Sequence, residues 1–455
     1  MSSSTKLSEP SYVSGPNGRG TVELLWSCSV TFGLCIWTVV HPNIIPWHTF
    51  RDQMFYKLSW MILAVLFPEI FVGIALRQLL EAREILICWK QHIEPPEAKE
   101  WLGLPGAFFA AMGGFVIVPP RTTQSPLNQE ADTSTKFVTT LRTSGFCKLL
   151  ESGLLNDLIK RRTLTEASFL RRNITDKGKA DSVAKFLLCL QITWMCIQCL
   201  GRVLSGLPIT LLEGHVLIQI FFAVCAHVCW WYKPLDVSEP FPLPLEDILE
   251  ESPDYIRVGP GREDIHTQCD LLTAEVSVGG FFRMLFHAAY DILSHHSHKA
   301  EFLAALLGML NGGLHLVAWN YHFPSDTERL LWRISCLSAG GLPPIVFLLV
   351  GRLSVEELVV RATLNAFLPA GDISNWRILW NELSTLVTDA AGDGTSWPAF
   401  VPRRARLHIG ILTIVATAWY ILCMLYLTIE PFLSVRSLPK GAYTTVEWTD
   451  FLPHY

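Results

Sequence analysis

Seven stretches of this chain are each apolar for about 20 residues, the length an α-helix needs to cross roughly 30 Å of hydrocarbon at 1.5 Å per residue. They cover Thr21 to Val40, Leu58 to about Leu76, Phe186 to Ser205, Ile209 to Trp231, Glu301 to Trp319, Leu330 to Gly351 and Leu407 to Ile429. Composition points the same way. Of 455 residues, 50% are hydrophobic and only 17% charged, with a mean hydropathy of +0.32, whereas a soluble protein of this length exposes many more charges. The expected fold is all-α: a polytopic transmembrane helix bundle of about seven spans with long cytoplasmic loops.

The first run is read as a retained span. Polar residues, prolines and glycines precede it, and no small-residue cleavage site follows, so it lacks the form of a secretory signal. The expected organisation is then a polar tail (1–20), two helices (21–80), a cytoplasmic segment forming a small cap (81–184), and helices three and four (185–231). An acidic, Pro-rich loop (232–299), helices five and six (300–351), a further loop (352–405), helix seven (406–430) and a C-terminal tail (431–455) complete it. Arg77, Arg83, Lys177, Lys179, Lys185, Lys233, Arg352, Arg403, Arg404 and Arg406 flank the spans on one side. By the positive-inside rule that side is cytoplasmic, and with seven spans the N-terminus shares it. The acceptor sequence beginning at Asn173 then faces the cytoplasm and stays unglycosylated. The membrane is expected to be the endoplasmic reticulum or another endomembrane.

An ionisable side chain inside a span costs a few kcal/mol unless it is paired or faces a wet cavity, so each one is a candidate for function. Glu23, Glu213 and Glu430 lie near span ends, where reaching the interface is the bland explanation. Glu69 is deeper and follows Pro68, whose missing N–H and ring clash loosen the helix. That makes it the first intramembrane acid–base candidate, with an ion pair to an arginine of another span as the structural alternative. Gln191, Gln198 and Arg202 share one face of the third run, which interhelical hydrogen bonding accounts for. Asn311 and His315 share a face thinned by Gly312 and Gly313, suited to close packing or to a ligand beside His315. Arg333, early in the sixth run, is placed to return toward Glu69 or Glu213. Pro343 and Pro344 are expected to break that run near its middle. The third, fifth and sixth spans, with kinked Glu69, are thus expected to border a pocket, and the first, fourth and seventh to be scaffold.

Several chemistries are absent. The chain has no phosphate-binding Gly-rich loop ending in Lys-Ser/Thr, no His-Glu-x-x-His and no Gly-x-Ser-x-Gly. Cys196 and Cys199 have zinc spacing but sit in an apolar run without a second pair, and His295, His296 and His298 lie in a soluble loop without nearby cysteines or acids, so no metal is expected. A net charge of −5 without a dense basic block excludes nucleic acid as a partner. No cofactor is implied. No internal repeat of the kind that marks many secondary transporters is visible.

Particular stretches carry a resemblance. They are His41-Pro-Asn43, Phe108 to Phe115, Asp176 to Asp181, Trp230 to Val237, Gly312 to Asn320 with Leu331-Trp-Arg333, and the ending Val446 to Thr449 with Pro453-His454. Over nearly the whole chain after residue 20 it resembles a group of fungal multi-pass membrane proteins, some encoded in specialised-metabolite gene clusters. Members of that group tend to carry Asp where this chain has Ala111, so an acidic role there is absent. The group has no shared catalytic constellation, but its association with such gene clusters favours a membrane-embedded cyclase or isomerase acting on a lipophilic small molecule, alongside other pathway enzymes. Proton transfer would be carried by Glu69, His315 or Glu213, with Arg333 stabilising developing anionic charge. A small-molecule transporter or receptor-like protein without catalytic activity is the alternative.

Overall fold

The computed structural model describes residues 12–13, 19–44, 50–117, 139–141, 143–166, 178–234, 240–243, 298–350 and 403–446. Asn173, His295, His296 and most of the loops 232–299 and 352–405 lie outside the described residues. So does the ending beyond Val446.

The described chain is mostly helical: α1 (Thr21–Val39), α2 (Phe50–Leu66), α3 (Pro68–His92), α4 (Gly103–Ala111), α5 (Thr143–Glu151), α6 (Leu154–Lys160), α7 (Gly178–Leu204), α8 (Leu211–Cys229), α9 (His298–His315), α10 (Asp326–Val350) and α11 (Arg403–Leu433). Four of them are long and apolar enough to cross a membrane, namely α1, α7, α8 and α11, and the bent pair α2–α3 makes a fifth if counted as one span. The outer face of α7 leaves Phe186, Leu190, Trp194, Ile197, Leu200 and Leu204 exposed. An apolar band that long is what a span presents to lipid and is rare on soluble monomers.

The second predicted span is not a straight helix. Phe67 leaves the helical region (φ −136°, ψ 64°), Pro68 supplies no N–H to bond backward, and α2 and α3 meet at 118°. α3 also runs on to His92, well past the expected boundary at residue 80. The sixth predicted span departs the other way. α10 continues through Pro343 and Pro344 without a break, and Pro343 fills the space beside Gly308, where a Cβ would lie 2.6 Å from its ring. Gly312 lets α9 press on α10 backbone to backbone, since a Cβ there would stand 2.5 Å from Gly340 Cα and 2.7 Å from the Cys336 carbonyl. Small residues that admit this approach replace the hydrophobic driving force that lipid does not supply.

At one end of the bundle sits a cap. β1 (Phe115–Ile117) pairs antiparallel with β2 (Thr139–Thr140) and parallel with β3 (Phe241–Leu243), so the loops 81–184 and 232–299 contribute to a single sheet. Phe115 packs on Phe146 at 5.3 Å and meets the edge of Phe109 at 5.2 Å, with Leu150, Leu155 and Leu158 buried around them. A side chain at Gly114 would run into the Phe109 carbonyl.

The start of α1 lies at the other end. Arg19 N donates to the Tyr443 carbonyl at 2.9 Å, and Arg202 donates to the carbonyls of Pro208, Gly441 and Thr444. This joins the start of α1, the α7–α8 turn and the C-terminal tail. The far end of α1 meets the cap, where Ile44 N donates to Met112 O at 3.1 Å. α1 thus runs from the tail end to the cap end, whereas the expected arrangement put the N-terminus beside the long loops. The cause is the reversal at Phe67. α2 enters from the cap end, where Lys57 sits over the Trp37 ring, and α3 returns to it.

Candidate functional site

Glu69 stands at the apex of this reversal, in the first turn of α3 and 3% exposed. Tyr420 of α11 donates its hydroxyl to Glu69 Oε1, and Asn311 of α9 donates its amide to Oε2 at 2.7 Å. Among the described residues no lysine or arginine reaches the carboxyl, so the expected arginine partner is absent. A gained or lost proton here changes the charge of the site, which an ion pair would have cancelled. Phe67 stacks on the Tyr420 ring at 6.1 Å and fixes the phenol.

His315 continues the chain of contacts. Its Nδ1 lies 2.9 Å from the Asn311 carbonyl, which can only accept, so Nδ1 carries the proton and Nε2 is an acceptor. His215 Nδ1, 3.2 Å from that Nε2, is then the donor, which leaves His215 Nε2 as a second acceptor. It has no partner among the described residues. Both rings sit in an aromatic sleeve, with Trp332 5.7 Å from His315 and Phe32 6.1 Å from His215. A carboxyl, a phenol, a carboxamide and two imidazoles thus meet where α3, α8, α9 and α11 converge, a set able to accept, hold and return a proton.

The other two predicted site residues are elsewhere. Glu213 closes a capping box at the start of α8: its Oε2 accepts from Thr210 N at 2.9 Å and Thr210 Oγ1 at 2.8 Å, and its backbone N donates to Thr210 Oγ1. Its Oε1 pairs with Arg19 at 2.6 Å. Both oxygens are therefore occupied in tying the N-terminal segment to a helix start. Arg333 reaches neither Glu69 nor Glu213. It donates to the Trp319 carbonyl at 3.1 Å and lies 4.5 Å above that ring, because the start of α10 packs on the 3₁₀ turn Leu316–Asn320. Gln191 donates to Thr31 Oγ1 at 2.7 Å, the expected interhelical bond.

A second polar node joins α1, α3 and α8 to the cap. Lys233 is 3% exposed, and its Nζ donates to the His41 carbonyl, to Gln78 Oε1 at 2.8 Å and to Asn43 Oδ1 at 3.1 Å. Its ammonium also lies 4.6 Å over the Trp230 ring, whose Nε1 donates to Gln78 Oε1. Burial pushes the amine down to about 7; Glu81 opposes that shift and Arg77 adds to it. Three oriented acceptors saturate its three donors, the arrangement of a structural clamp.

A model of a family of unknown function, DUF8562, matches residues 1–256 and 282–455. The chain belongs to that family. No curated protein and no solved structure matches it. The residues the match leaves out, 257–281, fall within the acidic loop 232–299.

Glu69, Asn311 and His315 were legible as polar groups in apolar runs, and the fold unites them. Tyr420, His215 and Lys233 were missed. Tyrosine is unremarkable in an apolar run, and His215 sits two residues from Glu213, which drew the attention. Lys233 had a signal: it lies inside the Trp230 to Val237 block, and two of its three acceptors lie in the His41-Pro-Asn43 block. The fourth and seventh spans, expected as scaffold, contribute His215 and Tyr420 to the cluster around Glu69. Among the described residues no group of three or more His, Cys, Asp or Glu is arranged to hold a metal. Cys199 is buried while Cys196 is exposed, and both are free.

Proposed function

We propose that this protein is an integral membrane component of fungal specialised-metabolite biosynthesis, a cyclase or isomerase that moves protons on a lipophilic intermediate without a cofactor. The observation that carries the reading is Glu69 itself, a buried carboxyl held by a phenol and a carboxamide with imidazoles one residue contact away. Such groups, excluded from water, are what general acid–base chemistry uses, and Tyr420 replaces Arg333 as the neighbour able to support developing anionic charge.

The same reading takes the seven apolar runs as six crossings (α1, α7, α8, α9, α10 and α11) and one re-entrant pair (α2–α3). The basic residues beside the cap make that end cytoplasmic, which puts both described chain ends on the lumenal or external face. Other pathway enzymes would meet it at the cap.

A transporter is the second reading, and the apex of α2–α3 favours it, because broken helices ending mid-bilayer line substrate and ion sites in transporters. Deleting the gene and profiling metabolites separates the two. Accumulation of an uncyclised intermediate is expected; retention of finished product inside cells would point to export, and an unchanged profile would exclude both.

A further inference from the structure

The buried acceptors around the apex of the re-entrant pair lack donors. His215 Nε2 is an acceptor by the proton placement derived above, and Gln219, one turn further along the same face of α8, donates its Nε2 to the Val65 carbonyl at 3.1 Å. That leaves Gln219 Oε1 as an acceptor. Neither atom has a partner among the described residues, and both residues are 2% exposed. Unsatisfied polar atoms in an apolar interior are costly and uncommon, so a pair of them one turn apart, both of the same kind, calls for a complement. Of the two, Gln219 borders an opening, and the complement of its free acceptor is a donor.

Gln219 lines a crevice with Ile36 and Val39 of α1, Ala64 of α2, Pro68 and Phe71 of α3, and Phe222 of α8. Apart from the Gln219 amide those walls are apolar. In this arrangement the crevice is too narrow for a water molecule. Its wall toward lipid is α2, which turns on the break at Phe67 and whose Phe55, Leu58 and Ile62 are exposed. The wall formed by α2 presents these side chains outward, so an occupant that enters past α2 arrives dissolved in lipid.

We propose that this crevice binds the hydroxyl end of a lipophilic alcohol, with the hydroxyl donating to Gln219 Oε1 and the apolar body against α1, α2 and Phe222. An ammonium would also donate, but no acidic side chain lines the crevice to serve as its counter-charge, and an unpaired ammonium in hydrocarbon is costly. The inference names the substrate class of the acid–base centre and rests on that reading for the chemistry that follows binding, though not for the binding itself.

The test uses the full chain reconstituted in lipid nanodiscs with two photoreactive probes, a diazirine-bearing hexadecanol and its methyl ether. Loss of one hydrogen-bond donor makes the ether weaker by about tenfold. The alcohol should label segments 21–39 and 211–229 about tenfold more than the ether, and unlabelled hexadecanol should compete. Gln219→Leu should bring alcohol labelling down to the ether level. Equal labelling by both probes, the result if the acceptors merely wait for water, overturns the proposal. Labelling spread over the lipid-facing surface of α7 does the same. Should Gln219→Leu fail to fold, the alcohol-to-ether ratio of the unaltered protein decides. Glu69→Gln separates the two ideas. Selective labelling together with unchanged metabolism in this variant keeps the binding site and removes the acid–base reading; absent selectivity with lost metabolism does the reverse.

Discussion

At Glu69 one oxygen separates function from fold. Glu69→Gln keeps an acceptor for Tyr420 and presents an amide toward Asn311. Asn311 can meet it, because its Oδ1 has no partner among the described residues and a turn of the amide brings that oxygen to face the new donor. The stability cost should stay within about 1 kcal/mol, one net hydrogen bond, while product formation falls at least about 100-fold if Glu69 transfers the proton. Thermal unfolding in detergent and complementation of the deletion strain check the two halves. Glu69→Leu strands both donors and should cost about 2–3 kcal/mol. Lys233 differs because its charge bears on folding. Its folded value, about 7, lies below the unfolded value of about 10.4. Between those values the unfolded chain binds more protons, so stability rises with pH at up to about 1.4 kcal/mol per unit. Below about pH 7 both states are protonated and the cost of burying the ammonium is felt in full. Relative to Lys233→Met, the unaltered protein should gain unfolding temperature from pH 7.5 to 9.5; a difference that does not change with pH would show that the amine stays charged throughout.

Among the elements, α9 and α10 depend on one close approach. A methyl at Gly312 meets backbone of α10, which cannot swing aside as a side chain can, so Gly312→Ala should cost about 1–3 kcal/mol. Its neighbour is the control: a Cβ at Gly313 has nothing within 4 Å, and Gly313→Ala should be neutral or gain up to about 1 kcal/mol from helix propensity. Similar losses for the two would mean that composition, not contact, sets the requirement. How legible these elements were follows from what hydropathy records. It located α7 closely, Phe186 to Ser205 expected against an apolar stretch ending at Leu204, because a span's length is fixed by the bilayer. It joined α2 to α3, because an apolar run reads alike whether the chain passes Phe67 straight or turns back, and Pro68 signals only that something happens there. The break expected at Pro343 and Pro344 fails for the complementary reason: Gly308 leaves room for the proline ring, and the packed pair holds the helix in line. The polar centre was half legible. Glu69 and His315 stand out against apolar neighbours, whereas Tyr420 acquires meaning only once α11 is laid beside the apex.

For the whole molecule, the turn at Phe67 decides which face each end occupies. With α2–α3 as a crossing, the N-terminus would share a side with the cap. Yet Arg19 bonds to Tyr443 and Glu213, both at the end opposite the cap, and Lys233 ties the far end of α1 to the cap end of α3 and α8. Six crossings and a re-entrant pair satisfy all of these contacts, and an even number of crossings is what brings Arg19 and Tyr443 together. On the topology proposed above, the basic residues at the cap place it on the cytoplasmic side and the two described chain ends on the lumenal side. A glycosylation acceptor grafted ahead of Arg19 should therefore gain a glycan in the endoplasmic reticulum, while Asn173, between α6 and α7 in the sequence, should remain bare. Mobility before and after glycosidase treatment reads both. A bare grafted site together with a modified Asn173 would invert the molecule; a bare grafted site with an N-terminal segment cut by protease added from the cytosol would restore α2–α3 as a true span, and with it the need to explain how Arg19 reaches Tyr443.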